Sequence, residues 1–95
     1  IVFTGEGRVD GQSAYGKVIS GIGFYAQKAG VPVIAVAGDV APDYGEVLSH
    51  GVTAVFSINH RAVPFETARH STVENLRDTV VNICRLIQTK SGVGR

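Results

Sequence analysis

Apolar and polar residues follow one another along the chain in blocks that predict alternating strands and helices. Three short apolar, β-branched runs, "IVFT", "VPVIAVAGD" and "VTAVFSIN", end in glycine or polar residues, as buried parallel strands do. Apolar residues spaced by three and four predict helices over about 13–30 and 71–89, and a shorter helix is predicted over 44–49. This alternation, with short connections, indicates an α/β fold with a parallel sheet and helices outside it.

Residues at the ends of the predicted helices support this assignment. Ser13 is a candidate N-cap for the first helix, and Gly30 is a candidate for the residue after its end. Ser71 and Glu74 form a possible capping box for the last helix, although Pro64 could begin an earlier turn. Two glycines inside the first helix, at positions 21 and 23, weaken it and are expected to let it pack close to the sheet.

A parallel sheet places ligands at the carboxyl ends of its strands. In this chain those ends carry "GEGRVDGQ", "GD" and "NHR". A three-stranded sheet also has two open edges, which are usually covered, so further chain or another subunit is expected beside it. Because the sequence begins within a predicted strand and without Met, we expect a piece of a longer polypeptide, with an α/β segment over 1–90 and a frayed tail over 91–95.

Composition narrows the classes of protein. The 95 residues suffice for one modest domain, and 44% hydrophobic with 18% charged residues is typical of a globular protein. A net charge of +1 argues against a nucleic-acid partner. No apolar run approaches the roughly 18 residues of a membrane span, and the single cysteine, Cys84, cannot form an internal disulfide. We therefore expect a cytoplasmic protein with no membrane partner.

The stretch "TGEGRVDGQSAYGK" is the main candidate for chemistry. Glycines that reach positive φ, and a helix amino terminus, let backbone amides approach an anion such as phosphate. The dinucleotide pattern Gly-x-Gly-x-x-Gly fits Gly5 and Gly7 but meets Asp10 at its third position, although Asp39 would suit a ribose-binding acid. A nicotinamide-dependent oxidoreductase is disfavoured for this reason.

Two further patterns place phosphate at the same loop. The P-loop pattern fits Gly11, Gly16 and Lys17, but Val18 replaces the hydroxyl residue that would hold magnesium. In the third pattern, carboxylates of the loop itself hold Mg²⁺ while cationic side chains neutralise phosphate. The candidates for the metal are Glu6 and Asp10, and those for phosphate are Arg8 and Lys17. Asp10 could instead accept a proton from a substrate hydroxyl, and the spacing leaves these roles open.

Three linked segments, "VFTGEGRVDGQSAYGKV", "GVPVIAVAG" and "HGVTAVFSI", resemble the carboxyl-terminal part of the type 1 glycerate kinases, or glycerate 2-kinases. The resemblance extends from residue 1 to about residue 86. The family pattern of Thr-Gly-Glu-Gly, arginine, aspartate, glutamine and Gly-Lys corresponds to Thr4, Gly5, Glu6, Gly7, Arg8, Asp10, Gln12, Gly16 and Lys17. Ser13 stands where threonine is commoner in the family.

The resemblance implies ATP-dependent, magnesium-requiring phosphorylation of D-glycerate to a phosphoglycerate in the cytoplasm. It implies two α/β domains, one of them a three-layer flavodoxin-like fold, with the active site in the cleft between them. Because the family's chains are several times longer, the isolated piece is expected to be inactive. Catalytic roles are expected for Asp10, Lys17 and Arg8. Substrate or phosphate binding is expected at Gly5, Gly7, Gly11 and Gln12, and metal binding at Glu6 and Asp10.

Each candidate also has a structural interpretation. The glycines could serve only the turn, the charged residues could form a solvated salt-bridge cluster, and Gln12 could bond the loop backbone. A cap is favoured for Asp39 and a helix-end role for His50. His60 is expected at the functional edge, where a structural role is favoured because the sequence shows no acid paired with it. His70 and Cys84 are expected on the last helix, at its surface and in its core. The alternative function is a noncatalytic flavodoxin-like module that binds an anionic ligand or partner protein.

Overall fold

A computed structural model describes residues 1–89 and divides the chain into two units, the first covering Ile1–Ser57 and the second beginning at Ile58. The first unit contains a parallel sheet in the order β1-β2-β3, with β1 at Val2–Val9, β2 at Val33–Val40 and β3 at Ala54–Ser57. The predicted α/β fold is confirmed. The single domain over 1–90 stays a prediction, and the predicted tail over 91–95 lies outside the described residues.

The central strand β2 forms the middle of the core. Its first five residues, 33–37, are all buried, because a parallel strand between two neighbours is covered on both faces. The register aligns Val2 with Val33 at one end and Val9 with Val40 at the other. The core of the first unit consists of Val9, Ala14, Ile19, Ala26, Val33, Ala35, Ala37, Val47 and Val52.

The first helix begins later than predicted, and its N-cap assignment was wrong. Helix α1 spans Lys17–Ala29, and a 3₁₀ helix at Gly11–Tyr15 precedes it. Ser13 lies inside that 3₁₀ helix, where its hydroxyl accepts the Asp10 amide at 3.0 Å while the Asp10 carboxylate accepts the Ser13 amide. Asp10 is therefore the N-cap of this 3₁₀ helix, since the reciprocal pair satisfies both amides, and Gly16 is the N-cap of α1. Gly30 ends α1 with φ 68°, as predicted.

A close backbone contact joins α1 to a second 3₁₀ helix, at Tyr44–His50. This 3₁₀ helix ends at Gly51, whose φ of 98° requires glycine. A Cβ added at Gly23 would collide with the His50 carbonyl oxygen, a backbone atom. Gly23 thus packs against the residues that end the 3₁₀ helix, whereas the sequence predicted close packing on the sheet.

The second unit consists of helices. Helix α2 spans Phe65–Ala68, a 3₁₀ turn covers Arg69–Ser71, and α3 spans Thr72–Ile87. The earlier start after Pro64 is confirmed, and the capping box of Ser71 with Glu74 was wrong, because Ser71 makes no side-chain cap hydrogen bond. Helical turns already lead into α3, so its start is not a free helix end. Within residues 1–89, no helix is both long enough and apolar enough to cross a bilayer.

Candidate functional site

An arginine links the carboxyl ends of β1 and β2. Arg8 lies opposite Asp39 in the strand register, and its Nη1 donates to Asp39 Oδ2 at 2.8 Å. Its Nε donates to Asp10 Oδ2 at 3.3 Å. Arg8 and Asp39 are largely exposed and Asp10 is partly exposed, so the ion pairs contribute little stability. They do fix the direction of the guanidinium and give Asp39 an ion-pair role in place of the predicted cap.

Asp10 is held by more hydrogen bonds than any other carboxylate in the described loop. Its Oδ1 accepts from the Gln12 amide at 2.9 Å, the Ser13 amide at 3.2 Å and the Ser13 hydroxyl at 3.3 Å. Partial desolvation acts to raise the pKa of Asp10, but the hydrogen bonds from Gln12, Arg8 and Ser13 outweigh it and lower the pKa. Asp10 is thus an ionised cap whose two oxygens are both engaged.

The lowered pKa of Asp10 predicts acid-sensitive stability. Because the folded-state pKa lies below the unfolded value of about 4, ionised Asp10 stabilises the fold at neutral pH. This contribution is lost as the pH falls through the folded-state pKa. We expect Asp10→Asn to lower the thermal unfolding midpoint at pH 7 and to show a smaller further fall at pH 3 than the parent chain. Circular dichroism at both pH values measures this, with exposed Asp78→Asn as the control. An unchanged pH 7 midpoint and an equal acid dependence would contradict it.

Three polar side chains, one each in β1, the 3₁₀ helix and α1, are available to a ligand. The side chains of Glu6, Gln12 and Lys17 make no hydrogen bond or ion pair with any residue in 1–89. Glu6 is half-buried, whereas Lys17 and Gln12 are exposed. Lys17 is the first residue of α1, and Gly16, the N-cap, provides no side-chain cap for the helix amides. The Lys17 ammonium and the uncapped amides of the first turn of α1 therefore belong to the same helix end.

The expected Gly-rich loop at the end of the first strand was wrong in its position, because β1 extends to Val9 and Gly5 and Gly7 lie inside the strand. Among residues 1–89 only Gly30 and Gly51 have positive φ, so the expectation of positive φ in the loop was wrong. A Cβ at Gly5 or Gly7 would meet nothing within 4 Å, which leaves open space beside β1. A Cβ at Gly11 would lie 2.6 Å from Asp43 Oδ2, so this glycine permits close packing of the loop.

Sequence reasoning missed a contact between the two 3₁₀ helices. The Tyr15 hydroxyl donates to Glu46 Oε2 at 3.2 Å, and the ring packs edge-on against His50 at 5.1 Å between centroids. The hydrogen bond to Glu46, followed by its negative charge, raises the pKa of Tyr15. His50 precedes the left-handed Gly51, as expected for a helix-end residue. Tyr15 falls within the helix predicted over 13–30, and no sequence signal pairs it with residue 46.

The remaining candidates lie in the second unit. His60 is exposed, and its Nε2 lies 2.7 Å from Thr79 Oγ1, which donates its own proton to the Asn75 carbonyl. Nε2 therefore carries a proton in this contact. His70 is exposed as predicted, whereas Cys84 is half-buried and not in the core. No cluster of three or more His, Cys, Asp or Glu suited to a metal occurs within residues 1–89.

Comparisons with known proteins place these residues in a family. The model of the glycerate kinase family matches residues 1–88. Glycerate kinases of Bacillus cereus and Bacillus subtilis are 42% and 40% identical to the chain over 87% and 93% of its length. Glycerate 2-kinase of Escherichia coli K12 is 42% identical over 90% of the chain.

The matches are partial with respect to the relatives. They cover 22%, 23% and 20% of those three proteins, so the chain spans about a fifth of their length. No solved structure matches the chain significantly. The family match nevertheless includes the whole Gly-rich loop and all three strands of the sheet. This chain belongs to the glycerate kinase family.

Proposed function

We propose that the chain supplies part of the phosphoryl-transfer site of an ATP-dependent kinase that acts on D-glycerate. Family membership supports the substrate class, because the relatives are named glycerate kinase and glycerate 2-kinase. The observation that carries the proposal is the position of Lys17. A lysine in the first turn of a helix is unfavourable for the helix dipole unless an anion lies nearby, and Lys17 has no acidic partner within residues 1–89.

The charges of Arg8, Asp10, Asp39 and Lys17 suggest which side chain binds the anion. Arg8 is paired with two carboxylates, Asp10 and Asp39, so that cluster carries a net negative charge. Lys17 is the cation free to neutralise phosphate or the substrate carboxylate, while the amides that begin α1 donate to the same anion. The open space at the Cα atoms of Gly5 and Gly7 and the amide of the Gln12 side chain are assigned to substrate or phosphate contacts.

The residues fit a magnesium ion held mostly by its substrate. Mg²⁺ usually keeps several waters and binds through one or two carboxylates plus substrate phosphates. Glu6 offers such a carboxylate, since nothing within residues 1–89 engages it, whereas both oxygens of Asp10 already accept hydrogen bonds. We therefore assign the metal chiefly to Glu6, with Asp10 as an orienting group beside Arg8. Bound magnesium would supply charge neutralisation for the transferred phosphate.

The activity is testable in a chimera. We expect that residues 1–88 of this chain, placed in Bacillus subtilis glycerate kinase in exchange for the matching segment, give a protein that releases ADP only when D-glycerate is present. The isolated chain is expected to be inactive, because most of the relatives' length is outside it. A coupled assay for ADP measures the activity of both proteins. We place the protein in the cytoplasm, so the assay is run under reducing conditions that keep Cys84 as a thiol. A folded chimera without glycerate-dependent turnover, beside an active parent, would refute the proposal.

A further inference from the structure

The β1 edge of the sheet has no further strand paired with it in the described part of the chain. Within residues 1–89, β1 pairs with β2 only, although it runs for eight residues and contains neither proline nor lysine. Exposed edge strands are normally short or are blunted by such residues. The first half of β1 is also apolar, and Ile1, Val2 and Phe3 are 57%, 37% and 36% exposed. This edge therefore presents both free backbone groups and apolar side chains.

An apolar groove runs beside this edge. Its volume is about 600 Å³, and it lies between the start of β1 and one flank of α1. The apolar lining consists chiefly of Val2, Val18, Ile22, Tyr25, Ala29 and Val31. Val18 is 54% and Tyr25 71% exposed, which is unusual for large side chains grouped on one helix flank. The edge and the groove are adjacent because both include Val2.

We propose that this edge and groove receive a β-strand and a packed helix from the rest of a longer kinase polypeptide, with the new strand parallel to β1. About four fifths of each relative lies outside the region that this chain matches, which is ample chain for the purpose. A parallel strand can place apolar residues beside the apolar half of β1, and the helix attached to it would fill the groove along α1. The inference rests on family membership and not on the proposed chemistry.

A second copy of the chain fits the same surface poorly. Two β1 strands that pair across a two-fold axis normal to the sheet are antiparallel. The apolar half of one strand, with Val2 and Phe3, would then oppose the half of the other that carries Glu6 and Arg8. The groove would face its own concave copy and stay unfilled. A strand of different sequence avoids both mismatches.

The backbone identifies the amides that report on pairing. The Val2 amide donates to the Pro32 carbonyl at 2.9 Å, so it points toward β2. Successive amides of a strand point to opposite sides, which directs those of Phe3 and Gly5 to the free edge. These two amides should exchange hydrogen rapidly in the isolated chain and slowly once another strand accepts them.

Hydrogen exchange followed by NMR tests the inference. We expect the Phe3 and Gly5 amides to exchange at least about tenfold more slowly in the Bacillus subtilis chimera than in the 95-residue chain. Val18→Lys should leave the unfolding midpoint of the isolated chain unchanged, since the side chain is 54% exposed, but should abolish that slowing in the chimera. The isolated chain with Val18→Lys is the control, because it shows whether the substitution by itself destabilises the fold. A chimera with Haemophilus influenzae glycerate kinase, 39% identical over 95% of the chain, provides a second host should the first not fold.

Two outcomes would overturn the inference. One is equally fast exchange of these amides in the isolated chain and in a folded chimera. The other is a dimer of the isolated chain, seen by analytical ultracentrifugation, in which the same amides are protected, because a second copy would then occupy the edge. An inactive chimera with protected amides would refute the proposed kinase function alone, whereas an active chimera with unprotected amides would refute only this docking surface.

Discussion

Gly23→Ala is expected to destabilise the first unit by about 2–4 kcal/mol, in the range of severe overpacking of a core. Gly23 is buried in the middle of α1, and an added Cβ would collide with the His50 carbonyl oxygen and crowd Gly51. Both obstacles are backbone. Gly51 is itself fixed at φ 98° by the end of the 3₁₀ helix, so the neighbouring segment has little freedom to move aside. The cost therefore comes from displacing α1 or the turn.

Gly21→Ala provides the matched control. It lies two residues earlier in the same helix, and its added Cβ would meet nothing within 4 Å. Alanine there is expected to stabilise the helix by about 0.5–1 kcal/mol, because glycine is a poor helix former. Urea unfolding of the parent and the two variants, followed by circular dichroism, gives the difference. Similar shifts for both variants would show that helix propensity, and not the contact with His50, sets the effect.

This pair of glycines shows what the sequence could and could not predict. The spacing of apolar residues predicted α1 and its end at Gly30, because helix periodicity and left-handed ends are local properties. The partner of Gly23 is about 27 residues away, on the His50 turn, and no local pattern encodes that contact. Sequence reasoning could say that a glycine allowed close approach, but it named the sheet as the neighbour.

In the candidate site, too, the sequence predicted some features and not others. The alternation of elements predicted that Arg8 and Asp39 would both lie at carboxyl ends of parallel strands, and their register pairing brings them within 2.8 Å. The N-cap was misassigned because Ser13 and Asp10 are both good capping residues three positions apart. Only the structure shows that the Asp10 carboxylate accepts the amides of Gln12 and Ser13. The Ser13 hydroxyl, inside the 3₁₀ helix, accepts the Asp10 amide in return. Asp10 was singled out for chemistry, yet its contacts are those of a cap.

That distinction decides which substitution best tests the chemistry. Asp10→Ala would remove the cap and the partner of Arg8 together, so lost activity could come from a disordered loop. Lys17 makes no side-chain hydrogen bond or ion pair in residues 1–89 and is exposed, so its removal should leave the fold intact. Lys17 is therefore the sharper probe of the phosphoryl-transfer site.

In the Bacillus subtilis chimera, Lys17→Ala is expected to lower kcat/KM for ATP by about 10²–10³-fold, as the loss of one charge-stabilising donor does in other transfer sites. Lys28→Ala is the control, because Lys28 lies in the last turn of the same helix, with its Nζ over the Phe24 ring. It should change kcat/KM less than about threefold. Lys17→Arg should recover part of the activity if charge alone matters.

The kinetic parameters also separate the two anions that Lys17 could bind. A ground-state contact with the glycerate carboxylate should appear in KM for glycerate, whereas stabilisation of the transferred phosphate should appear in kcat. Circular dichroism of each variant must match that of the parent chimera, so that a folding defect is not mistaken for chemistry. If Lys17→Ala and Lys28→Ala had the same small effect, the uncapped start of α1 would not be the anion site. The free carboxylate of Glu6 would then lack the phosphate ligand that its metal role requires.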